Sequence, residues 1–94
     1  MLQQIEELLR ADAPTLARLE DTLTEGYAQA LALEAERWRL ERRIGEVARG
    51  CSTDIGEELL SLGRRLTSAD GELVQLRELL GSLHERARLA RAAS

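Results

Sequence analysis

The chain has 94 residues and a net charge of −4, all 13 of its basic residues are Arg, and Cys51, Pro14 and Trp38 are each the only residue of their type. A chain of this length builds one core at most, and 2% aromatics with a single proline exclude the turn-rich, β-branched composition of a sandwich or barrel. The acidic balance provides no global positive field to draw the protein to nucleic acid or an anionic membrane.

In chain order, Leu2, Ile5 and Leu9 share a helical face, which predicts a short helix over 2–11. Pro14 disfavours helical geometry at Ala13 and Asp12 is a candidate cap, so a second helix is expected over 13–49. Its apolar positions alternate by three and four through Leu16, Leu19, Leu23, Gly26, Ala30, Leu33, Leu40, Ile44 and Val47, a heptad seam with Arg37 as its one charged member. A turn is expected over 50–53, with Gly50 in the left-handed position and Asp54 and Glu57 as a capping box. The same spacing then continues from Ile55 through Leu59, Leu62, Leu66, Ala69, Leu73, Leu76, Leu80, Leu83 and Ala87, predicting a long helix over 54–91.

Such a short turn can return the chain only in the opposite direction. The expected fold is therefore all-α, an antiparallel coiled-coil helical hairpin with a short N-terminal helix, in which the numbers of facing residues sum to about 106. Glu20, Asp21 and Glu25 then lie beside Arg86, Arg88 and Arg91, and Glu57 and Glu58 beside Arg42, Arg43 and Arg49, so most of the charge reads as structural.

A second apolar stripe runs about 120° from the seam. It comprises Tyr27, Leu31, Ala35 and Trp38 on one long helix and Gly56, Leu60, Gly63, Thr67, Gly71 and Val74 on the other. Opposed helix directions bring the two stripes to one side. Tyr27, Leu31, Trp38, Leu60, Gly63, Thr67, Gly71 and Val74 are therefore the candidate partner interface, with Trp38 expected over the small Thr67 and Gly71. Either the short helix folds down onto this face, or a partner does. The expected partner is a second copy, giving a homodimer that closes a four-helix bundle, or another helical protein.

No phosphate-binding loop, metal-ligand cluster or nucleophile motif is present, so no catalytic residue, metal or cofactor is assigned; His84 and Cys51 stand alone. Arg37 reads either as a register-setting residue paired with Asp70 or Glu36, or as a candidate anion site in a small bundle enzyme. The leading expectation is a non-enzymatic protein–protein interaction or oligomerisation module, an adaptor or scaffold. A nucleic-acid-associated protein acting through Arg39, Arg42, Arg43 and Arg49 is a further alternative, disfavoured by the interleaved Glu36, Glu41 and Glu46. The lone cysteine and the lack of a long apolar run point to the cytoplasm.

Overall fold

A computed structural model describes residues 1–12, 14–50 and 55–93. All regular structure among them is helical: α1 (Leu2–Arg10), α2 (Leu16–Arg49) and α3 (Ile55–Ala93). The protein is a rod of 62 × 18 × 14 Å.

The ends of α2 differ from the expected ones. It begins at Leu16 rather than at 13, because the cap is Thr15 and not Asp12: the Thr15 hydroxyl accepts a hydrogen bond from the Arg18 N–H at 3.2 Å, satisfying one of the free donors of the first turn. At the other end Gly50 is extended, with φ −82° and ψ 157°, so the expected left-handed glycine is not formed; its N–H still closes the last turn by donating to Val47 O. The expected turn residues Cys51, Ser52 and Thr53 and the capping residue Asp54 lie outside the described residues. α3 continues to Ala93, past the expected end at 91.

α2 and α3 lie side by side along their length and run in opposite directions, as Glu20 pairs with Arg91 near one end and Arg43 with Glu58 near the other. Gly26 faces Leu80, in the expected register. The seam residues divide into two clusters. Leu40, Val47, Leu62 and Ala69 are buried near the inter-helix connection, with Ile44, Ile55, Leu59 and Leu66 packed on them. Leu19, Leu23, Ala30, Leu73, Leu76, Leu80, Leu83 and Ala87 form the larger cluster, and α1 adds Ile5 and Leu8 to it.

α1 lies along the groove between the two long helices. Its first turn sits beside Gln29, Leu33, Glu72 and Leu76, and Gln4, Glu7 and Leu8 sit beside Arg18, Thr22 and Glu25. Ile5 is fully buried. Helix α1 thus reaches Leu33, and it lies on the flank opposite Tyr27 and not on the second apolar stripe. Arg86 of α3 fixes its end, donating from Nη1 to Leu9 O at 2.8 Å and from Nη2 to Ala11 O at 3.0 Å. A guanidinium on the last carbonyls of a helix satisfies unpaired acceptors and complements the negative end of the dipole. Arg86 therefore clamps α1, where a partner at the start of α2 was expected.

Candidate partner interface

Helical geometry accounts for which side chains reach the surface opposite α1. At about 100° per residue, Tyr27, Leu31 and Trp38 project from α2, and Leu60 and Val74 from α3, all turned away from the seam in the sense opposite to the residues that touch α1. These five are between 48% and 66% exposed, a large exposure for side chains of this size. Tyr27 and Leu31 border a shallow groove with Ala30, Leu80 and Gly81, and the Glu34–Arg77 ion pair closes its rim. Leu59, Leu60, Gly63, Arg64 and Thr67 line a second shallow depression nearer the connection.

Every residue of the candidate interface is on this flank, but one expected contact within it is not made. A Cβ added at Gly63, Gly71 or Gly81 would meet nothing within 4 Å, so the indole of Trp38 does not fill the space over Gly71. Instead the Arg42 guanidinium stacks 4.9 Å from the ring centroid, a cation–π contact that leaves the indole 59% exposed. Thr67 satisfies its hydroxyl by donating to Gly63 O at 3.0 Å, which keeps the polar atom off the face.

The seam is bordered by ion pairs between α2 and α3. Glu34–Arg77 and Glu20–Arg91 share one offset from the Gly26–Leu80 register on the apolar flank, and Glu36–Arg65 and Arg43–Glu58 share the opposite offset on the other. Arg39 and Arg65 hold the Glu36 carboxyl below its usual range, Arg39 most strongly. Glu58 raises Arg43, and Glu85 and Arg88 shift one another in the same pairing sense.

Arg37 is about half exposed, with Nε 2.8 Å from Asp70 and 3.2 Å from Glu41. Asp70 is one of its two expected partners; Glu41, one turn further along α2, takes the place of Glu36, which is engaged by Arg39 and Arg65. Two carboxylates around one guanidinium leave a net negative locality, poorly suited to an anion. Of the four arginines considered for nucleic acid, Arg39 and Arg43 are paired with glutamates and Arg42 stacks on Trp38. His84 is exposed, and no group of three or more His, Cys, Asp or Glu that would hold a metal occurs among the described residues. Nor, among them, is any helix long and apolar enough to cross a membrane.

Three features lie outside the heptad reading. Leu79 lies beside the seam on the α1 flank and packs on the larger cluster; this extra leucine next to Leu76 and Leu83 is the sequence signal for where α1 docks. Leu89 is a sixth large apolar side chain exposed to solvent. The third is Arg86, whose role depends on carbonyls more than seventy residues away, which no local pattern reports. No family model matches the chain, and no match was found among curated proteins or solved structures.

Proposed function

We propose that the protein is a non-enzymatic interaction module: an antiparallel coiled-coil hairpin that presents one apolar face to a helical partner and associates by burying it. The observation that carries this reading is the sidedness of the molecule. α1 covers one flank of the α2/α3 pair, while Tyr27, Leu31, Trp38, Leu60 and Val74 remain exposed together on the other. An apolar patch of this kind on a small protein commonly marks an interface, and Tyr and Trp are the residues that most often anchor one. The open spaces over Gly63, Gly71 and Gly81 permit another helix to approach closely. Two such faces brought together make a four-helix bundle.

Trp38 is the natural reporter. In the dilute monomer its emission is that of an indole in water, and it moves to the blue when the face is covered, with Trp38→Glu abolishing association while leaving the helical content intact. A blue-shifted Trp38 in a dilute, demonstrably monomeric sample would show that the face is already covered and overturn the reading.

A further inference from the structure

The occupant of that face is readable from the charges that surround it, and the inference rests on the interaction reading above. We propose that the face takes a second copy of the same chain, packed antiparallel end to end about a two-fold axis that crosses α2 between Glu34 and Ala35 and α3 between Gly71 and Glu72. Of the charged residues bordering the apolar patch, the basic ones not engaged by a carboxylate, Arg42, Arg49 and Arg64, lie toward the inter-helix connection, whereas Glu78 lies toward the opposite end, where Arg77 is engaged by Glu34 and Arg91 by Glu20. Among the described residues none of the three arginines has a carboxylate partner, and neither does Glu78.

The two-fold turns this polarity into complementarity. On α2 it sets Leu31 against the partner's Trp38, and Tyr27 against the partner's Arg42, whose guanidinium already prefers an aromatic surface. Glu20 comes opposite the partner's Arg49. On α3 it brings the unpaired Arg64 to the partner's unpaired Glu78, and the open spaces over Gly63 and Gly81 come opposite one another. The other face-to-face arrangement, with both connections at the same end, places Arg42 on the partner's Arg64 and sets like charges together. Like-charge contact disfavours that orientation. The whole flank, apolar patch and charged borders together, on a rod 62 Å long and 18 Å wide, has room for the roughly 800 Å² per partner that a stable interface needs.

Arg64 and Glu78 are fourteen residues apart on the same helix, about 21 Å at 1.5 Å per residue. They cannot meet within one copy, so any coupling between them is intermolecular. Sedimentation of Arg64→Glu, Glu78→Arg and the double variant tests the arrangement. Each single change is expected to weaken dimerisation about tenfold, and the double change to return it close to wild type, with helical content unchanged throughout. Dipolar spectroscopy on a spin label at Glu57→Cys in a Cys51→Ser background provides a second measurement. The antiparallel dimer gives a separation of about 40 Å from the helical rise, and the turn-to-turn dimer a short one.

A short distance, or a dimer in which the double variant shows no recovery, overturns the antiparallel arrangement. A wild type that stays monomeric at high concentration, with Trp38 still solvent-exposed, overturns the second copy as occupant while leaving the interface reading in place. A monomer with Trp38 already buried overturns both.

Discussion

Gly26 lies directly beneath Leu80: a Cβ at position 26 would collide with Leu80 Cδ2 and approach Ile5 Cδ1 at 3.6 Å. This is where the three helices meet, and the missing side chain lets Leu80 and Ile5 share one site. Leu80 is 2% exposed and Ile5 is fully buried, so a side chain at position 26 would force at least Leu80 to repack. Gly26→Ala therefore sets a helix-propensity gain of up to about 1 kcal/mol against an overpacking cost of about 1–3 kcal/mol. The expected result in urea denaturation is a net loss of about 1 kcal/mol. Gly71→Ala is the contrast: with nothing within 4 Å of its Cβ, only the propensity gain remains, and stability should rise by about 0.5–1 kcal/mol.

Removing the Arg86 clamp should release α1 without unfolding the long helices. Arg86→Ala leaves Leu9 O and Ala11 O without their charged donor, and hydrogen bonds to charged groups contribute about 1.5–3 kcal/mol. Because α1 can detach locally, the effect should appear as faster amide exchange across α1, with exchange at Leu73 and Leu76 unchanged. Equal acceleration in all three helices would mean that α1 and the long pair open only together.

Arg37→Leu places a leucine in the seam and leaves Asp70 and Glu41 without their shared cation. Because Arg37 and Asp70 are both about 40–45% exposed, the ion pair is screened by solvent and contributes little. Stability should stay within about 1 kcal/mol of wild type in chemical denaturation. A loss of several kcal/mol would show that the guanidinium satisfies partners that cannot be left unpaired.

The pH dependence should be confined to the acid side. Glu36 is lowered first by the hydrogen bond from Arg39 and also by Arg65, and Glu85 is lowered by Arg88. A carboxyl lowered in the folded state adds stability that is fully present above its unfolded value and lost as pH falls through the folded one. Thermal melts should be flat near neutrality and decline below the ordinary glutamate range. Glu36→Gln, which weakens the contact to Arg65 between the helices, should reduce the decline slightly.

How much of this was legible in the sequence depends on whether the cause was local. The three-and-four spacing located nearly every buried residue, from Leu19 to Val47 and from Leu62 to Ala87, because burial against one neighbouring helix repeats with the helix itself. The exposed stripe from Tyr27 to Trp38 followed from the same angular arithmetic. Caps were less legible: Asp12 and Thr15 both suit an N-cap, and only the chain's path after Pro14 decides between them. The flank chosen by α1 depended on Leu79 and on Arg86 reaching back to Leu9 and Ala11. These are long-range contacts with no periodic signature. The indole's preference for Arg42 over the gap at Gly71 is likewise a choice between two contacts that spacing alone permits.

The placement of α1 also bears on how far assembly can proceed. A bare pair of long helices would have sticky surfaces on both flanks, and copies could stack on each other without limit into fibres or layers. Here Ile5 and Leu8 close one flank over the larger cluster, and beyond the reach of α1 the Glu36–Arg65 and Arg43–Glu58 pairs edge it with charge. Growth from that side has nothing to grip. On the proposed reading, an assembly built through the Trp38 side would be finite, ending with its first partner.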